Sequence, residues 1–191
     1  MSRLLRVASL DPSLRNFGMV KGTIDLDSPN YDFTISEMLL ADSETDKATK
    51  KVVRKNSDDL VRAIKLNRAL TAFISDVQMV FVEVPVGSQS ARAMASYGIC
   101  IGVLSSIRKP MIQLTPTEVK LAAVGTKTAS KEEMIAWAVA AYPNAPWLTV
   151  KRKGKVELLA KNEHLADAVA AVHAGIVTDP FTQAIAILGA A

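Results

Sequence analysis

The sequence predicts an α/β layer fold: a mixed five-stranded sheet with helices on both faces. Three observations predict it. Residues 4–22 read as an apolar strand, a tight polar turn and a second strand, and residues 31–40 (YDFTISEMLL) add a third, making an antiparallel meander. Two further short apolar runs, residues 77–86 and 111–114, each follow a helical segment. The resulting order, βββ, α, β, α, β, α, α, α, is that of a layered sheet whose later strands join through helical crossovers.

The elements follow in chain order. The first strand, residues 4–10, is a near-continuous Leu/Val run, as expected of a central strand covered on both faces. It ends at Asp11, and Pro12, Ser13 and Asn16 form the turn. Residues 41–55 are a polar connection whose second half carries Lys47, Lys50, Lys51, Arg54 and Lys55 without an acid. Asn56 or Ser57 is expected to cap the next helix, with Leu60, Ile64, Leu70, Phe73 and Ile74 on its apolar face. Residues 88–107 read as a long helix with a stripe of small residues, Ala91, Ala95, Gly98 and Gly102. Capping boxes at Thr115–Glu118 and Ser130–Glu133 open two more helices, and Tyr142-Pro143 ends the second. Residues 143–161 form a basic insertion, with a short hairpin expected around Gly154. Residues 162–174 form the last clear helix, with Leu165, Val169 and Val172 toward the core.

A chain of 191 residues with 49% hydrophobic and 22% charged residues suits a single globular domain. One cysteine, Cys100, excludes an internal disulfide framework and a cysteine-rich zinc site, and fits a reducing, cytoplasmic setting. No segment reads as a secretory leader, and no apolar run reaches membrane-spanning length. A net charge of +4 permits an anionic partner without demanding one. The basic runs at 47–55 and 150–161 suit either solvated loops or phosphate contacts.

Three acids sit in apolar surroundings: Asp11 at the end of the first strand, Glu83 near the end of the fourth, and Asp167 in an Ala-rich helix. Taken singly, each has an ordinary structural reading: Asp11 as a turn cap, Glu83 paired to a lysine, Asp167 facing solvent. His164 lies three residues before Asp167, on the same helix face, and Glu163 lies four before it. Taken together, three acids and a histidine suit a pocket for hard divalent cations, two of which can clamp the oxygens of a phosphoryl displacement.

The segments LDPSLRNFGMV, VFVEVPVGSQSARAMASYGICIGVL, QLTPTEVKLAAVGTKTASKEEM and HLADAVAAVHA, in this order, resemble the RuvC family of Holliday junction resolvases across residues 4–175. The resemblance implies a ribonuclease H-like fold. It implies that Asp11, Glu83, His164 and Asp167 are the metal-binding catalytic set, and that Lys120 and Lys131 serve DNA binding and catalysis. Where the family often carries an aromatic wedge after the strand-end Glu, this chain has Val84-Pro85-Val86. The long basic insertion is a second departure and suits a viral or plasmid-borne relative.

The expected function is therefore a structure-selective endonuclease that cuts four-way DNA junctions with two Mg²⁺ ions. Mn²⁺ is expected to serve too, because imidazole suits it better than Mg²⁺. The two-fold symmetry of a junction implies a homodimer, with the 88–107 helix at its interface. Lys51, Arg54, Lys151, Arg152 and Lys153 are expected to contact DNA, with Lys120 and Lys131. The alternatives are a related nuclease acting on flaps, branched DNA or RNA–DNA hybrids, and a DNA-binding relative without catalysis.

Overall fold

The protein is described from a computed structural model, which covers residues 2–44 and 55–189. Lys51, Arg54 and most of the first basic run lie outside the described residues. The strands are β1 (Leu4–Asp11), β2 (Asn16–Asp25), β3 (Phe33–Asp42), β4 (Met79–Glu83), β5 (Met111–Leu114), β6 (Thr149–Arg152) and β7 (Lys155–Leu158). The helices are α1 (Lys55–Phe73), α2 (Ala91–Leu104), α3 (Pro116–Val124), α4 (Lys131–Ala141), α5 (Asn162–Gly175) and α6 (Asp179–Gly189).

The main sheet runs β3-β2-β1-β4-β5. β1, β2 and β3 form the antiparallel meander, and β4 and β5 run parallel to β1. This is the mixed five-stranded sheet that the sequence predicts. Alternation divides the strands between two cores. Leu5, Val7, Val20, Met79, Phe81, Ile112 and Leu114 face α3, α4, α5 and α6. Ala8, Leu10, Phe17, Met19, Val80 and Val82 face α1 and α2.

α5 is the central helix. Leu165, Ala166, Ala168, Val169, Ala170, Ala171 and Val172 are all buried, so burial extends well beyond the three core positions expected. The cause is alanine. Small side chains let α5 lie close on the sheet while α3 and α4 pack on its other side. Gly175 continues this: a Cβ there would stand 2.2 Å from the Phe81 ring.

The structure corrects four expectations. α1 begins at Lys55, so Asn56 and Ser57 lie inside its first turn instead of capping it. Its buried stripe runs through Arg62, Leu66, Leu70 and Phe73, while Leu60 and Ile64 are 62% and 43% exposed. Arg62 is tolerated there because its Nε donates to Asp58 Oδ2 at 2.8 Å. A further helix, α6, follows α5 and seats Phe181 in the core against Phe81, with ring centroids 5.8 Å apart. The 88–107 helix is shorter than expected, opening at Ser90, whose Oγ accepts the Ala93 N–H. Among the described residues, no single helix is long and apolar enough to cross a membrane.

α6 therefore contributes to the core rather than trailing from it. Phe181→Ala should lower unfolding free energy by about 3–5 kcal/mol. Ile187→Ala, at a position 72% exposed, should change it by no more than about 0.5 kcal/mol. Urea unfolding followed by circular dichroism measures both.

Candidate active site

β1 and β4 are parallel, with Leu10 opposite Val82. The next residue on each strand is therefore Asp11 and Glu83, side by side at the carboxyl ends of adjacent strands. In open α/β sheets, ligands bind outside those ends. α5 crosses above and supplies Glu163, His164 and Asp167. α3 supplies Lys120, α4 supplies Lys131 and α2 supplies Tyr97. These side chains, with Ala129, Ser130 and Met134, line one cavity of about 390 Å³.

Asp11 does not cap its own turn. His164 Nδ1 donates to Asp11 Oδ2 at 2.6 Å, and the other ring nitrogen, Nε2, stands 3.5 Å from Glu163 Oε1. Glu163 Oε2 in turn receives Lys131 Nζ at 2.7 Å. A charge-assisted chain thus runs Asp11–His164–Glu163–Lys131. Burial pulls the His164 pKa down, but the Asp11 hydrogen bond and charge, with Glu163 and Asp167, outweigh it, and the net shift is upward.

Glu83 and Asp167 have no such relief. Burial first, then the Asp11 and Asp167 charges, pushes Glu83 up to about 8. Burial first, then the Asp11 charge, pushes Asp167 up to about 7, opposed by His164 and Lys120. Asp167 is thus not a solvent-facing helix residue. Like carboxylates crowded into one cavity resist joint ionisation, and a hard cation with oxygen ligands would relieve that resistance. The donor set fits such an ion. The side chains share the cavity without closing on a point: among the described residues, no group of three His, Cys, Asp or Glu side chains already stands positioned to enclose an ion.

Of the residues singled out from sequence, Asp11, Glu83, His164, Asp167, Lys120 and Lys131 are brought together. Lys151, Arg152 and Lys153 are not; they lie on the exposed β6–β7 hairpin. Two contributors were missed. Tyr97 lines the cavity from α2, where attention to the small-residue stripe hides it. Gly18 lies opposite Asp11 on β2, and a Cβ there would stand 2.2 Å from the His164 carbonyl oxygen. A glycine inside a strand is a signal of close backbone approach.

Two outcomes follow from this geometry. Gly18→Ala must push the start of α5 off β2, separating His164 from Asp11. The variant should lose at least tenfold in any activity of this site, and the His164 imidazole proton resonance should lose its hydrogen-bonded position in NMR spectra. The second concerns pH in EDTA. A group whose pKa rises on folding favours the folded state below its ordinary value, and that contribution fades as pH climbs to the folded value. Glu83, Asp167 and His164 all shift upward, three groups against His173, which burial shifts downward and which acts in the opposite sense, so the melting temperature should fall as pH rises from about 5 to 8. A flat or rising melting temperature over that window would contradict the burial of these charges.

No protein-family model matches the chain, and no curated protein matches it. Solved structures do. Thermus thermophilus RuvC superposes with a TM-score of 0.60 at 16% identity, covering 95% of this chain and 97% of that one. The T. thermophilus RuvC complex with a Holliday junction substrate gives 0.56 at 18% identity, covering 89% and 92%. The fowlpox virus resolvase bound to Holliday junction DNA gives 0.53 at 14% identity, covering 91% and 100%. With the carboxyl ends of β1 and β4 meeting α5 over a mixed five-stranded sheet, the chain has the ribonuclease H-like fold of the RuvC-like resolvases.

Proposed function

We propose that this protein is a structure-selective DNA endonuclease that resolves four-way junctions as a homodimer. The observation that carries the reading is the buried cluster of Asp11, Glu83 and Asp167 at the strand ends of a fold shared with junction resolvases. The neighbours solved with Holliday junction DNA support a branched substrate.

Asp11, Glu83 and Asp167 would hold two Mg²⁺ or Mn²⁺ ions, and His164 would contribute through Nε2 on giving up its proton and its contact with Glu163 Oε1. When bound, the ions supply an activated water and charge stabilisation at the scissile phosphate. The chain's own groups do the rest. Asp11 orients the imidazole and keeps its Nδ1 protonated. Lys120 lines the same cavity, where its charge opposes the upward shifts of Glu83 and Asp167, and would offer a cation to the approaching phosphate. Lys131 is 72% exposed at its side chain while tied to Glu163, so it reaches outward toward the same backbone. Carboxylates read no bases, so selectivity rests on junction shape and phosphate contacts.

The α2 surface supports pairing of two copies. Met94 and Ile101 are 47% and 43% exposed, beside exposed Ala91, Ala95, Gly98 and Gly102. Neither glycine has an atom within 4 Å of where a Cβ would lie. A second helix can therefore approach closely there, and a two-fold axis through α2 would give the two sites that paired cuts require.

Asp167→Asn separates chemistry from binding. It keeps the shape of the side chain and removes a charge that hard cations require. Junction cleavage in Mg²⁺ should fall by about 10²-fold or more, while a gel shift in EDTA should show junction binding at wild-type strength or tighter. Cleavage near wild type, or loss of binding together with a lowered melting temperature, would contradict this role.

A further inference from the structure

The β6–β7 hairpin is a second functional element. It forms its own two-stranded sheet, paired to no other strand, and residues 151–158 are all exposed. Its tip, Lys153-Gly154, has φ of 47° and 80°, the two-residue turn whose twist suits a regular ribbon. Lysine at the first of these positions puts a cation at the far end in a conformation that glycine or asparagine would adopt more readily. Register places Lys151 opposite Val156 and Thr149 opposite Leu158 on one face, and Arg152 opposite Lys155 and Val150 opposite Glu157 on the other. Val156 is 62% and Leu158 44% exposed. The ribbon thus carries four cations against one acid, with two bare aliphatic side chains on a single face.

An isolated two-stranded ribbon is marginal in water, yet this one is fixed at its base. Asn162 is fully buried; its Oδ1 accepts the Leu148 N–H at 2.9 Å and its Nδ2 donates to the Leu148 carbonyl at 2.8 Å. The Leu159 N–H closes on the same carbonyl at 3.0 Å. Asn162 is the first residue of α5, immediately before Glu163 and His164. Lys161 adds a 2.8 Å ion pair to Asp42 at the end of β3. The ribbon is therefore held in fixed relation to the helix that carries the site.

We propose that β6–β7 is a groove-binding arm that lies in the major groove of one duplex arm of the substrate, held in register with the catalytic helix by Asn162. The proposal rests on the junction-nuclease reading and adds to it a duplex contact outside the site. The major groove, about 12 Å wide, admits a two-stranded ribbon. Lys151, Arg152, Lys153 and Lys155 match its phosphate walls, and the Val156/Leu158 face suits base edges such as the thymine methyl. Four-residue strands extend about 13 Å, or roughly four base pairs.

Dimethyl sulfate probing of an immobile four-way junction in EDTA tests this, because guanine N7 lies in the major groove. The full-length protein is compared with a variant in which residues 150–157 are replaced by Asn-Gly, and with Val156→Glu, which keeps the ribbon length. Melting curves confirm the fold of each. Wild type should protect guanines over about four base pairs of an arm. Both variants should lose that protection while still shifting the junction, and the shortened variant, lacking four phosphate contacts, should show a shallower salt dependence of binding by about 3.6 units of log–log slope. Unchanged protection in both variants overturns the proposal and leaves the nuclease reading intact if wild type cleaves the junction. Sedimentation showing that the shortened variant has become monomeric would also overturn it, making the ribbon a contact between copies. A wild type that neither binds nor cuts junctions removes the reading and the inference together.

Discussion

The structure turns on the burial of like charges at the carboxyl ends of two parallel strands. Asp11 and Glu83 are adjacent because β1 and β4 pair in parallel with Leu10 beside Val82, and Asp167 is lowered onto them by α5. Placing three carboxyl groups in a half-enclosed cavity runs against the usual preference of acids for water. Glu83 and Asp167 therefore bind protons more tightly than free carboxyls do. On the proposed reading, such an arrangement would attract divalent cations, at some expense to the cation-free fold.

That arrangement depends on how closely α5 can approach the sheet. Gly18 removes the side chain that would strike the His164 carbonyl, and Gly175 removes the one that would strike Phe81. Between them, the alanines of α5 keep the helix low across β1, β2 and β4. His164 then reaches Asp11 at 2.6 Å. The site is thus tied to packing: a methyl group at position 18 would meet the His164 carbonyl and move the backbone that positions the imidazole.

Much of this was legible in the sequence, for physical reasons that can be stated residue by residue. The meander was visible because β1 and β2 are apolar runs broken by Pro12 and Ser13. Asp11, Glu83 and Asp167 stood out because acids are rare in apolar elements. The hairpin at Gly154 was marked by a glycine in a basic run, and both capping boxes appear where their spacing put them. The buried stripe of α1 was misplaced because Leu60 and Ile64 look like core, while the stripe's first buried member is Arg62, neutralised by Asp58. α6 carries a helical signal, Phe181, Ala184 and Ile185 at i, i+3 and i+4 against the core, but the exposed Ile187 and Leu188 blur that face into a short, uniformly apolar run. Tyr97 and the clamp at Asn162 depend on contacts between distant segments, which spacing along one helix cannot show.

The central claim is that Asp11, Glu83 and Asp167 form one divalent-cation site. A crystal of the protein soaked in Mn²⁺ and measured for anomalous scattering tests it most directly. The account predicts strong manganese peaks within the cavity, bonded to oxygens of all three carboxylates at about 2.0–2.6 Å, with Glu83 and Asp167 drawn inward. No peak in the cavity, or peaks bound only to surface carboxylates, would contradict it.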